Sequence, residues 1–395
     1  MERSIKSVTL KKNSNPMILK KFSYREYENS PRYWELKAFD VNNINLIVGS
    51  NASGKSRTLN VISALSRILQ NPKIQYNSGS YAACFENNSG HSIKYIVEYN
   101  QGSISKEKFI RNEKELIDRN ENGEGRIFNE EIGKDTKFKI PHNELAVTRR
   151  DEFQYPYLED LYLWAHSTRH FRFAKEQEKQ TLALISSNKT PTDSVDAKET
   201  NQVIEVFRKA KGRHRAEFVN KVIHDFNSIG YNISNVDTGV LQSIQVDSPV
   251  GNKVVGIRVH ENDRNGITDQ NEMSDGMFRA LSIIIHYNYY ALEGKPLNIL
   301  IDDIGEGLDF DRSTRLITLL IEKSHELDIQ LIMSTNDKFV MNNTNLEYWQ
   351  IISRNGGIVE MFNKHNSAEK FNEFKFTGLN NFDFFTTDFF KTGWN

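Results

Sequence analysis

A chain of 395 residues carries 51 Lys and Arg against 52 Asp and Glu, so its formal net charge is −1. Near-neutrality removes any whole-molecule pull toward nucleic acid or an anionic membrane, and such binding would need local patches. The single cysteine, Cys84, excludes an internal disulfide framework and any multi-cysteine zinc site. The longest apolar stretches, at Ile283-Ile284-Ile285 and Ile299-Leu300-Ile301, are too short to span a bilayer. Arg3, Lys6, Lys11 and Lys12 break every signal-like run near Met1, so the expectation is a cytoplasmic protein with no membrane partner.

Short runs of alternating apolar and polar residues, Ile18 to Phe22 and Trp34 to Phe39, predict strands. Ile44, Leu46, Ile47 and Val48 then form an apolar strand that enters Gly49-Ser50-Asn51-Ala52-Ser53-Gly54-Lys55-Ser56. This stretch fits the phosphate-loop pattern GxxxxGK[ST] in full. Apolar residues at helical spacing follow, from Arg57 to Leu69, ending before Asn71-Pro72. Strand, glycine loop and helix is the order the chemistry needs: backbone N–H groups close around a polyphosphate and the helix N-terminus adds its positive end. Lys55 would reach the β- and γ-phosphates, and Ser56 would hold Mg²⁺.

From Tyr81 to Ile140 the pattern stays strand-like, with turn signals at Gly90, Gly102, Gly123, Gly125 and Gly133, and predicts an antiparallel lobe. Glu152 to about Lys175 reads as helical and aromatic, Ser186 to Ser194 as a polar loop, and Gln202 to Ile229 as a second helical region without sustained heptads. Short strands are expected near Leu241 to Val246 and Val254 to Val259. The layout divides into residues 1–70 and 236–345 as two halves of a nucleotide core, 71–150 as the β lobe, 151–235 as a helical insertion and 346–395 as C-terminal strands with an aromatic tail.

Asn298-Ile299-Leu300-Ile301-Asp302-Asp303 is an apolar strand ending in two carboxylates, one suited to Mg²⁺ and the next to orienting a water. Glu272 to Leu281 is a polar glycine turn opening a helix, and Leu308-Asp309 and Ser334-Thr335-Asn336 follow. The ordered set resembles the ATP-binding-cassette family, and within it the SMC-like branch found in DNA repair and among stand-alone ATPase subunits of anti-phage systems. The resemblance implies an α/β P-loop core, with ATP and Mg²⁺ as cofactors. It places Gly49 to Ser56, with Arg57 beside them, on the nucleotide. It makes Ser274-Asp275-Gly276 the signature, Asp302 the Mg²⁺ carboxylate and Asp309 the D-loop residue.

In that family two subunits stack head to tail, so Ser274 and Gly276 of one copy would meet the γ-phosphate at Lys55 of the other. Two positions depart from the pattern. Asp303 stands where glutamate is usual, shorter by one methylene or about 1.5 Å, and Glu306 is a second candidate for orienting the water. Asn336 stands where a histidine is usual; it can hydrogen-bond a γ-phosphate but cannot carry charge, and its other reading is a helix N-cap. Both departures imply slow hydrolysis. Gln154 is the candidate for the family's glutamine loop, and base contacts leave ATP and GTP undistinguished.

Three functions follow as expectations. The first is a nucleotide-gated scaffold, a dimer or higher homo-oligomer, controlling a separate effector such as a nuclease or toxin. The second is a DNA-repair or chromosome-associated ATPase, for which Arg149, Arg150, Arg208, Lys209, Lys211, Arg213, His214 and Arg215 would supply the nucleic-acid contacts. The third is a non-hydrolysing assembly protein. Phe371, Phe374, Phe376, Phe382, Phe384, Phe385, Phe389 and Phe390 show little helical period and are expected to pack on the core or to dock a partner.

Overall fold

The computed structural model describes residues 16–172, 182–186, 200, 202–243, 252–327 and 329–393. Strands β1 (Ile18–Glu26) and β2 (Trp34–Asp40) pair antiparallel and lead into β3 (Ile44–Val48) and helix α1 (Lys55–Ile68). Every residue of β3 is buried. Ile44, Leu46 and Val48 enter one core and Ile47 the other, as the period-two geometry of a strand with both faces covered requires.

Six strands follow: β4 (Ser78–Glu86), β5 (Ser92–Asn100), β6 (Ser103–Arg111), β7 (Lys114–Arg119), β8 (Glu124–Asn129) and β9 (Lys134–Lys139). They alternate buried and exposed residues, the mark of an antiparallel sheet with one wet face. Because β4 pairs with β1, they are not detached from the nucleotide half but extend its sheet.

Helix α2 (Glu159–Ser167) and strand β10 (Thr168–Arg172) come next, then β11 (Ala183–Ser186) and helix α3 (Val203–Ser228). Strands β12 (Ile233–Val240), β13 (Asn252–Glu261) and β14 (Thr268–Asp269) form a small antiparallel sheet with β11. Helix α4 (Asp275–Glu293), β15 (Asn298–Asp302), α5 (Phe310–Glu326), β16 (Gln330–Thr335) and α6 (Lys338–Asn343) rebuild the core. The chain ends in β17 (Trp349–Asn355), β18 (Ile358–Phe362) and three short helices, α7 (Ala368–Phe374), α8 (Asn381–Thr386) and α9 (Phe389–Thr392). The main sheet runs β10-β15-β16-β3-β17-β18-β2-β1-β4-β5-β6-β7-β8-β9, parallel from β10 through β17 and antiparallel from β1 outward. The acidic strand β15 therefore lies two strands from the loop strand β3, with β16 between them.

Several sequence expectations need correction. The region expected as helix to about Lys175 stops at Ser167, and Thr168–Arg172 becomes the edge strand β10, whose β-branched and aromatic residues pair in parallel with β15. The strand expected near Leu241 to Val246 instead occupies Ile233–Val240, paired with β13, and residues 244–246 lie outside those described. Residues 187–194 of the expected polar loop also lie outside them. Helix α3 is not straight: Arg215 (φ 51°, ψ −129°) breaks it into two limbs. The Phe207 and Phe218 rings stand 5.4 Å apart across that break, whereas eleven residues of straight helix would separate them by about 16 Å.

The aromatic tail packs on the core. Phe371, Phe374, Phe384, Phe389 and Phe390 are buried, with Phe384 at the centre, while Phe376 is 90% exposed on the turn between α7 and α8.

Three residues of the basic run on α3, Lys211, Arg213 and His214, form ion pairs. Lys211 meets Asp237 at 2.8 Å. Arg213 and His214 both meet Glu293 at 2.9 Å, and Lys295 adds a third partner at 3.1 Å. Deeper in α3, the buried Asp225 accepts from Asn288 at 2.6 Å and from Lys323 at 2.9 Å, fixing its second limb to α4 and α5. Burial alone would raise the Glu293 carboxyl, but the His214, Lys295 and Arg213 partners outweigh it and hold it down at about 2.

A carboxyl depressed on folding contributes stability that is complete above its unfolded value and is lost as pH falls toward its folded one. Glu293→Gln should therefore lower the thermal midpoint clearly at pH 7, and the gap to the parent protein should close between about pH 5 and pH 2. Thermal melts at pH 7 and pH 3 check this; a gap that stays constant would refute it.

Candidate nucleotide site

The phosphate loop turns between β3 and α1, and Gly54 caps the helix with φ 109°, a left-handed conformation that a side chain would strain. The first N–H groups of α1 lack intrahelical acceptors and face the loop's interior. Lys55, 7% exposed, folds back so that Nζ donates to the carbonyls of Gly49 at 2.8 Å and Ser50 at 3.0 Å. Desolvation lowers its pKa, opposed by the negative fields of Asp303 and Asp302.

Ser56 Oγ donates to Asp302 Oδ1 at 3.0 Å across the gap between α1 and β15. Ser334, at the end of β16, donates its hydroxyl to the same oxygen at 2.7 Å. The next residue, Asp303, takes φ 52°, and its N–H donates to Ser334 Oγ at 3.0 Å. Burial pushes the Asp303 carboxyl up, the neighbouring Asp302 charge adds to this, and Lys55 opposes it. Glu306 points elsewhere, ion-paired with Arg279 at 3.2 Å and 57% exposed.

Asn336 Nδ2 donates to Asn51 Oδ1 at 2.9 Å, joining the switch position to the phosphate loop. The cap of α6 is Asp337, which accepts from Phe339 and Val340, so the N-cap reading of Asn336 does not hold.

Ser274 caps α4 by accepting from Met277 N–H at 3.2 Å, and with Asp275 it lies on the surface. Gly276 is buried. A Cβ there would lie 2.0 Å from the Gly307 carbonyl, so this glycine lets α4 press on the turn that follows Asp303. Its neighbour Ser274 faces outward and Gly276 inward, a division of labour the spacing did not predict. Asp309 caps α5, accepting from Arg312 N–H at 2.9 Å and Nη1 at 2.8 Å.

Arg57 stacks 4.3 Å over Trp34 and pairs with Glu26 on the other side of the loop. Ser50, Asn51, Ala52 and Ser53 line a cleft of about 740 Å³ shared with Arg354 and the C-terminal helices. Gln154 lies far from this centre: its carbonyl accepts from Glu130 after β8, nine strands from β3 in the sheet.

The donor set fits the groups it is expected to hold. Two hard oxygens, the Ser56 hydroxyl and the Asp302 carboxylate, converge as Mg²⁺ requires. The loop with its buried ammonium suits a polyphosphate. Ser334 and Arg279 are the residues sequence reasoning did not select. A hydroxyl closing the otherwise apolar run Leu331-Ile332-Met333 was the available signal for Ser334.

Fold and site together define an α/β P-loop NTPase core. The chain belongs to the family described as "AAA domain, putative AbiEii toxin, Type IV TA system", whose sequence model matches residues 44–342. No curated protein sequence matches it. Among solved structures, the chain is similar to an SmcHead bound to the C-winged helix domain of ScpA, with 13% identity, TM-score 0.48, and 87% of this chain and 96% of that one covered. It is also similar to the Pyrococcus furiosus Smc head domain with an extended coiled coil, bound to the C-terminal domain of ScpA, at 12% identity, TM-score 0.49 and 91% and 100% coverage. The SMC head domain of Thermotoga maritima gives 14% identity, TM-score 0.42 and 87% and 97% coverage. Among the described residues no helix is long and apolar enough to cross a membrane.

Proposed function

We propose that the chain binds MgATP, hydrolyses it slowly and uses the nucleotide to hold two copies head to tail, gating a separate effector such as a nuclease or toxin in defence against phage. The observation that carries the nucleotide chemistry is the convergence of the Ser56 and Ser334 hydroxyls on one oxygen of Asp302, next to a phosphate loop that holds Lys55. The effector setting draws on the toxin–antitoxin description of the family.

In this reading Lys55 donates to the β- and γ-phosphates, while Ser56 and Asp302 hold the metal. Mg²⁺ held there would supply neutralisation of the phosphate charge. Asp303, its carboxyl made more basic by burial, orients a water for in-line attack and accepts its proton. Asn336 donates from the opposite wall to the γ-phosphate, and the exposed Ser274 of a second copy closes the site. The carbonyls that hold Lys55 and the Asn336–Asn51 bond must yield to the nucleotide, and an asparagine carries no charge to speed the step.

Steady-state hydrolysis of MgATP decides the carboxylate. Asp303→Ala should lose at least about a hundredfold in turnover with binding retained, whereas Glu306→Ala, already committed to Arg279, should stay within about threefold. The reverse pattern would move the role to Glu306. Tight MgATP binding with no turnover in the parent protein would make the chain a clamp, and no binding would overturn the reading.

A further inference from the structure

The parallel ladder between β15 and β16 ends at Ile301 and Met333. Beyond it β15 leaves the sheet through Asp303, a non-glycine residue at φ 52°, a conformation that L side chains hold only when neighbouring groups enforce it. Those groups belong to one residue. The Ser334 hydroxyl accepts the Asp303 N–H at 3.0 Å, and the Ser334 carbonyl accepts the Ile304 N–H at 2.9 Å. The same hydroxyl spends its proton on Asp302 Oδ1 at 2.7 Å. Ser334 is fully buried, so its single proton and its lone pair have no water to turn to, and both are committed to the two adjacent carboxylate residues.

From this bonding we infer that Ser334 is a positioning residue that couples the metal-binding carboxylate Asp302 to the water-orienting carboxylate Asp303. The inference rests on the nucleotide reading above. One hydroxyl holds the Asp302 oxygen that Ser56 also reaches and pins the turn in which Asp303 sits. Alanine would leave Asp302 Oδ1 with one hydroxyl donor among those described and the Asp303 N–H without its acceptor, at no cost in steric fit. Both carboxylates would then lose their registration together.

The test measures equilibrium binding of ATP with excess EDTA and across a Mg²⁺ titration, alongside turnover, for the full chain and its Ser334→Ala, Ser334→Cys and Ser334→Thr variants. Ser334→Ala and Ser334→Cys should raise the Mg²⁺ concentration for half-maximal binding about tenfold, as expected for losing a hydrogen bond to a charged group. They should leave ATP binding in EDTA within about twofold and lower turnover by about tenfold or more. Ser334→Thr, which keeps the hydroxyl, should restore both values to within about threefold. In an Asp303→Ala background, Ser334→Ala should shift the Mg²⁺ titration but cost no further turnover, since the residue it positions is gone.

Equal loss of ATP binding with and without Mg²⁺ would show a merely structural role and overturn the inference, as would an unmoved Mg²⁺ titration in a folded Ser334→Ala protein. If that variant does not fold, the Ser334→Cys titration decides. Failure of the parent protein to bind ATP at all would instead sink the nucleotide reading.

Discussion

Lys55→Ala is expected to weaken MgATP binding by about a hundredfold or more, ~2.7 kcal/mol, while leaving the nucleotide-free protein as stable as the parent or slightly more so. The two halves of this result come from one fact. The ammonium is held in a poorly hydrated loop by two carbonyls, and burial lowers its pKa against the opposing fields of Asp303 and Asp302, so the folded chain disfavours the charge that the nucleotide needs. Removing it relieves a desolvated cation in the empty state and removes the principal counter-charge in the loaded one. Isothermal titration with MgATP, together with thermal melts with and without nucleotide, checks both halves. A variant that still gains thermal stability from MgATP as the parent does would refute the assignment.

Phe384→Ala should destabilise the chain by about 3–5 kcal/mol, the range for deleting a buried aromatic ring. Phe384 is fully buried and meets Phe371 and Phe374 with ring centroids 4.7 Å away, and Phe389 at 5.9 Å, so no neighbour can collapse into the space without losing its own contacts. Its helix is also tied to the nucleotide half. Phe382 N–H donates to Asn342 Oδ1 at 2.8 Å and Asn381 Nδ2 to the Thr344 carbonyl at 2.9 Å, bracing α6 behind Asn336. The variant should therefore also bind MgATP more weakly. Phe376→Ala, at a ring 90% exposed, should change stability by less than about 0.5 kcal/mol. Denaturant unfolding of the two variants separates packing from exposure, and equal costs would count against this account of the tail.

The nucleotide loop and the acidic strand were legible because each is written in consecutive residues: β3, apolar but for Asn45, and the Ile299–Ile301 run of β15 stop where the loop and the carboxylates begin. What could not be read depends on partners distant in sequence. Ser334 matters only because β16 lies between β3 and β15, and Glu306 is drawn off by Arg279 from a helix 27 residues earlier. Nothing local to the basic run on α3 announced that Asp237 and Glu293 would pair with Lys211, Arg213 and His214. The break at Arg215 left no local sign, since the nearby Gly212 is helical and the residue at the break is not a glycine. The tail's phenylalanines hid their period because three short helices, each of seven residues or fewer, give too few turns to establish one.

The break at Arg215 limits how far this molecule can reach. Each limb of α3 is a dozen or so residues, about 18 Å long. The corner is moored to the end of α4 through Glu293, and the returning limb is bolted to α4 and α5 at Asp225. A projecting arm carries motion away from a head to a distant hinge. Among the described residues this folded insert is a buttress, so under the proposed nucleotide reading a displacement would pass to whatever touches α4 and α5 directly.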